Sequence, residues 1–174
     1  MATHLPICVN VLTFDRSLAK RAGDEIVFGI VFQPRYLASS GAHDDALRVL
    51  SDLGVEDIDG TPMRYVSIPV SDEEDTERAV LDSEADILYI APLRAFPLDA
   101  ITPVSQEHDL LTCSGVGAYG DAGLALAVGV RRGRPEIVID LIAMREEGVD
   151  FTAVLLDYAR VVNVEAARSS GRSD

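Results

Sequence analysis

The chain has no tryptophan, and only 6% of its 174 residues are aromatic. Valine, leucine, isoleucine and alanine must therefore fill its core. Its two cysteines, Cys8 and Cys113, form no C-x-x-C pair. That excludes a disulfide framework and a cysteine metal motif, and each sits among apolar neighbours like a small buried hydrophobe. Basic residues are scarce: 15 Lys and Arg stand against 29 Asp and Glu, for a net charge of −14. A molecule of that sign opposes nucleic acid and anionic lipid, because both need a basic face to neutralise phosphates. No apolar run approaches about 18 residues, so no segment is expected to be embedded in a membrane.

Catalytic signatures are missing as well. His4, His43 and His108 share no metal-ligand spacing. Residues 112–116 read TCSGV, so there is no G-x-S-x-G elbow around Ser114. The acids Asp72, Glu73, Glu74 and Asp75 read as a solvated helix start. Gly115, Gly117 and Gly120 match a dinucleotide fingerprint by letter, with Asp140 20 residues on. The fingerprint needs a helix opening at its glycines, and here a strand is expected after Gly123. The expectation is of no catalytic residue, no metal and no cofactor.

What is present is an ordinary globular composition, 48% apolar and 25% charged. Residues 5–18 are dense in apolar side chains and fit a helix or a short strand. EIVFGIVFQP reads as a strand buried on both faces. Ser39 to Ala42 reads as a small polar loop, and DDALRVLSDLG as a helix with Leu47, Leu50 and Leu53 on one side and Gly54 as its cap. MRYVSIPV and DILYIAP read as strands. A capping box, Ser71 to Glu74, opens a helix between them. Pro97 and Pro103 predict a short or bent helix before the strand LLTCS.

From Asp109 the order changes. LLTCS runs into the loop GVGAYGDAG. RRGR is too short for a crossover, so strands 124–130 and 136–141 must pair as an antiparallel hairpin. Phe151, Val154, Leu155, Tyr158, Val161 and Val162 fall at helical spacing and predict a closing helix against the sheet. The fold class is α/β: a single-domain three-layer sandwich, with a largely parallel sheet, a C-terminal antiparallel hairpin and a closing helix. The domain is expected over residues 1–166, with a disordered tail over 167–174.

Ligands of parallel sheets sit at the carboxyl ends of strands. Those ends fall at Gln33 to Gly41, Pro92 to Phe96 and Ser114 to Tyr119. Ser39, Ser40, Ser114, Gly115 and Tyr119 are therefore candidates to bind a small polar ligand or a partner.

The string GDAGLALAVGVRRGRPEIVIDLIAMREEGVDFTAVLLDYARVV resembles the ending of the YfiR-type family of small periplasmic regulators. VLTFDRSLAKRAGDEIVFGIVF and ADILYIAP fit the same order, so the likeness runs from residue 7 to 164. Asp140 stands where that family's pattern has asparagine. The resemblance implies a non-enzymatic periplasmic protein that docks on the periplasmic domain of a membrane-anchored signalling protein. A diguanylate cyclase or a sensor kinase would be such a partner. It brings no catalytic residue. A homodimer is compatible with it. The first 21 residues show no basic segment followed by a long apolar one, which keeps a cytoplasmic location as the alternative. The second functional reading is a small-ligand-binding domain related to solute-binding proteins.

Overall fold

In a computed structural model, which describes residues 4–71, 73 and 75–164, the apolar opening segment is a helix, α1 (His4–Leu12). Five of its side chains, from Leu5 to Leu12, are buried. A short α2 (Leu18–Ala22) leads into β1 (Ile26–Phe32), which is buried through Val31. Successive β1 side chains enter opposite layers, as strand geometry requires. Ile26, Phe28 and Ile30 join a core with Leu5, Cys8, Ala46 and Leu50. Val27 and Val31 join a second core with Val80, Ile101 and Val104.

Helix α3 (Leu37–Leu53) corrects two expectations. Ser39 to Ala42 is not a loop but its first turns. Its buried residues are Ser39, Ala42, His43, Ala46 and Leu50, an unbroken helical stripe. Leu47 and Leu53 lie on the outer side instead, 36% and 43% exposed. Gly54 ends the helix at φ +58, the left-handed cap its sequence position suggested.

The short β2 (Asp57–Ile58) turns back into β3 (Thr61–Pro69). Helix α4 (Thr76–Asp82) then starts with Asp75 in the N-cap place, four residues beyond the Ser71 expected there. Glu74, the other half of that box, lies outside the described residues, as do Asp72 and the 167–174 tail. After β4 (Ile87–Ile90), Pro97 precedes a 3-10 turn, Leu98–Ala100, and Pro103 sits in the first turn of a short α5 (Thr102–Glu107). Both prolines occupy positions that need no backbone donor.

Next come β5 (Leu111–Ser114), a single turn α6 (Ala118–Asp121) and β6 (Leu126–Arg131). Strand β7 (Arg134–Asp140) completes the hairpin, followed by α7 (Leu141–Glu146). Asp140 caps α7, its Oδ1 accepting from Ile142 N at 2.9 Å and Ala143 N at 3.2 Å. Its Oδ2 accepts from Asn163 Nδ2 at 2.7 Å. A carboxylate thus fills this N-cap, where acidic and amide side chains serve about equally well.

The closing helix is shorter than its spacing implied. It runs only through α8 (Ala153–Tyr158), and Arg160–Val162 form a strand, β8. Val161 and Val162 are β-branched and pair with Ile139 and Asp140, a ladder that ends the helix. Phe151 and Leu155 pack inward, whereas Val154 and Tyr158 are 59% and 83% exposed.

The strands form one sheet in the order β2-β3-β1-β4-β5-β6-β7-β8. Strands β3, β1, β4, β5 and β6 run parallel in succession. The β6–β7 pair is antiparallel, as the short turn demanded, and β8 lies parallel to β7. With helices on both faces this is a single-domain α/β sandwich.

Candidate functional site

Strand β1 feeds through α3 to β3 on one side, while β4 lies on its other side and feeds through α5 to β5. The loops after β1 and β4 therefore diverge, opening a crevice at the carboxyl edge of the sheet. A cavity of about 290 Å³ lies there, lined by Gln33, Arg35, Tyr36, Val70, Ser71 and Arg94 among others. Gln33 bridges the two loops. Its Oε1 accepts from Arg94 N at 2.7 Å, and its Nε2 donates to Arg94 O at 3.2 Å.

The electrostatics of this cavity differ from those of the whole molecule. The Arg94 guanidinium lies 6.0 Å from the Tyr36 ring centroid, in cation–π range. Among the described residues neither Arg35 nor Arg94 forms an ion pair. Two guanidinium groups without an ion pair among the described residues, that of Arg94 lying against the Tyr36 ring, can hold a carboxylate or a phosphate.

The candidates named from the sequence lie around this edge, several of them supporting its loops. Ser39 is fully buried and its Oγ accepts from Gln33 N at 2.9 Å. Ser40 donates to Leu37 O at 3.3 Å. Ser114, also fully buried, donates to Ile90 O at 2.6 Å and accepts from Val116 N at 3.0 Å. Gly115 O pairs with His4 Nδ1 at 2.9 Å. The Tyr119 hydroxyl accepts from Leu93 N at 2.8 Å, fixing the β4 loop. Gln33, Arg35, Tyr36 and Arg94 were not singled out, although each lies in a strand-end segment where ligands were expected.

The glycine pattern has a packing cause. A Cβ on Gly117 would lie 2.8 Å from Gly129 Cα, so Gly117 allows the α6 turn to meet the β6 backbone. That turn spans four residues and gives way to β6.

Two further polar clusters lie elsewhere in the fold. His43 pairs with Ser67 Oγ through Nε2 at 2.8 Å and with Asp44 Oδ1 through Nδ1 at 2.9 Å. Its ring stacks on Phe32 at 3.9 Å. The Asp44 side chain is 79% exposed, so water screens this contact. Glu147 is fully buried at the opposite end of the sheet. Its carboxylate accepts from Ser105 Oγ at 2.9 Å, Thr112 Oγ1 at 2.7 Å and Thr112 N at 2.8 Å. Burial pushes its acid dissociation up to about 7, against the pull of those hydrogen bonds.

Both cysteines are free and buried, and burial raises the Cys113 thiol, with Cys8 beside it adding to the effect. Among the described residues no cluster of His, Cys, Asp or Glu is placed to hold a metal ion. No described helix is long and apolar enough to cross a membrane.

No protein-family model and no curated protein matches this chain. Solved structures do match its fold. One is the ABC domain in complex with L-Trp from Streptococcus pneumoniae, at a TM-score of 0.60 and 10% identity, over 87% of this chain and 61% of that one. Another is a ligand-free, open substrate-binding protein with adhesive properties from Clostridium difficile, at 0.59 and 10% identity, over 84% and 57%. A third is a conserved domain protein from Vibrio cholerae, at 0.56 and 10% identity, over 90% and 57%. The chain thus spans about three fifths of the length of these structures. What is shared at this identity is the α/β fold.

Proposed function

We propose that this chain is a non-enzymatic small-ligand-binding domain, with its site in the crevice between the loops after β1 and β4. The ligand carries a carboxylate or another small anionic group. The observation that carries this reading is the pair Arg35 and Arg94, free of ion pairs among the described residues in a chain of net charge −14. A cavity of about 290 Å³ suits a molecule of amino-acid size. The fold likeness to a domain solved with L-Trp and to a substrate-binding protein supports the same reading.

A thermal-shift screen of amino acids and small organic anions tests it. A ligand at 100 times its Kd adds about 2.7 kcal/mol of stability. Arg94→Gln should abolish that shift while leaving the unliganded melting temperature nearly unchanged. A panel that shifts nothing, or shifts the variant equally, rejects the site.

A regulatory role in the periplasm, exerted on a membrane-anchored signalling protein, is the second reading. It is supported by the ordered resemblance over residues 7 to 164, from which Asp140 departs. A fusion of the gene and its upstream region to alkaline phosphatase should be active outside the cytoplasm. An inactive fusion that is stably expressed removes this reading.

A further inference from the structure

Farther along the same carboxyl edge of the sheet, the β6–β7 turn carries a second concentration of positive charge. Arg131, Arg132, Arg134 and Arg160 line an open concavity of about 820 Å³, together with Glu136 and Tyr158. We propose that this concavity is a docking surface for an acidic segment of a partner protein. It is separate from the β1–β4 crevice and does not depend on the small-ligand reading.

The arginines play two parts. Arg160 is fixed, donating to both Asp121 carboxylate oxygens at 2.7 and 2.9 Å and to Glu136 at 3.2 Å. Arg131 leans on the same Glu136 at 3.1 Å. Arg132 and Arg134 form no ion pair among the described residues. They remain able to donate to carboxylates from outside the molecule. Four of the 15 basic residues thus gather at one place in a strongly acidic chain.

The turn itself points the same way. Arg132 has φ +51 and Gly133 has φ +76, the two left-handed positions of a tight hairpin turn. Asparagine or glycine fits the first position with less strain than arginine. The turn geometry therefore does not call for an arginine at this position.

An acidic protein segment fits this surface better than a bilayer. The net charge of −14 repels an anionic membrane as a whole, whereas a peptide samples only the local field. The surface is concave, and Tyr158 is 83% exposed beside it, ready for apolar contact. Strand β8 ends the sheet order, so its outer edge has no strand neighbour among the described residues and can align an extended chain.

Fluorescence anisotropy with a fluorescein-labelled oligoglutamate peptide tests the proposal on the full chain. Binding should be measurable at low salt and weaken at about 0.15 M, where screening acts within about 8 Å. Arg132→Asn with Arg134→Gln should weaken it about tenfold, by loss of two charge contacts. The same double variant should melt no lower than the parent and keep any small-ligand thermal shift, which separates the two sites. Arg132→Lys with Arg134→Lys should retain most of the binding. No peptide binding at low salt, or equal binding by the asparagine–glutamine variant, overturns the proposal. So does binding of phosphatidylserine vesicles or inorganic phosphate in the peptide's place.

Discussion

Gln33 holds Arg94 by both of its backbone polar groups, accepting from the N–H at 2.7 Å and donating to the carbonyl at 3.2 Å. The residues are 61 positions apart, and this clasp ties the loop after β1 to the loop after β4. The crevice therefore has a preset width. Arg35 and Arg94 stand on loops that are already joined, which reduces the ordering cost of binding.

Gln33→Ala removes both bonds and should lower stability by about 1 kcal/mol, the net worth of such contacts at a partly exposed site. The Arg94 amide should exchange its hydrogen faster, and ligands should bind more weakly. Hydrogen-exchange mass spectrometry over residues 91–96 reads this directly. Unchanged protection there would show that the loops hold without the clasp.

Leu155 is 4% exposed and Tyr158 is 83% exposed, so the two ends of α8 should respond very differently to truncation. Leu155→Ala should cost roughly 2–5 kcal/mol in denaturant melts. Tyr158→Ala should stay within about 0.5 kcal/mol. A large effect at Tyr158 would mean that this side chain is covered in solution.

Glu147 predicts a pH dependence of stability. Its folded-state value of about 7 lies above its ordinary value of 4.5, because burial disfavours the charged form. The protonated carboxyl therefore favours the folded state. That contribution is fully present below about pH 4.5 and is lost as pH rises toward 7. A shift of that size corresponds to roughly 3 kcal/mol. Urea melts should show stability falling between pH 5 and about 7.5, and Glu147→Gln should flatten the slope. A parent slope identical to that of the variant would mean that Glu147 titrates normally.

Arg132→Gly should stabilise the fold by roughly 0.5–1 kcal/mol, because glycine takes φ +51 without a Cβ clash. Differential scanning calorimetry gives the sign. A destabilised variant would show that the arginine side chain supports the hairpin.

The sheet was legible because its strands are buried on both faces. IVFGIVF and ILYI are apolar without interruption, and parallel strands between two helical layers must be. The hairpin was legible because RRGR cannot carry a crossover. The start of α3 was not, since Ser39, Ser40 and Gly41 have loop-like preferences. Burial of Ser39 and its bond to Gln33 N override them. Strand β8 was hidden because its valines keep helical spacing with α8, and only the exposed edge of β7 decides between the two. The site was half legible. The strand-end rule marked the segments holding Gln33, Tyr36 and Arg94. A lone arginine in a loop looks like any solvated charge until the order β3-β1-β4 brings two of them to one crevice.

Helix α1 packs on β5 and β6, and His4 reaches Gly115 across 111 positions of chain. During synthesis that greasy stretch emerges from the ribosome well before its resting place exists. Leu5, Cys8, Val9, Val11 and Leu12 must wait, unshielded or held by a chaperone, until β6 has been made. Contacts between such distant parts of a chain slow folding. Premature interruption of translation anywhere before β6 would leave a fragment with the apolar face of α1 uncovered, prone to aggregation and quick proteolysis.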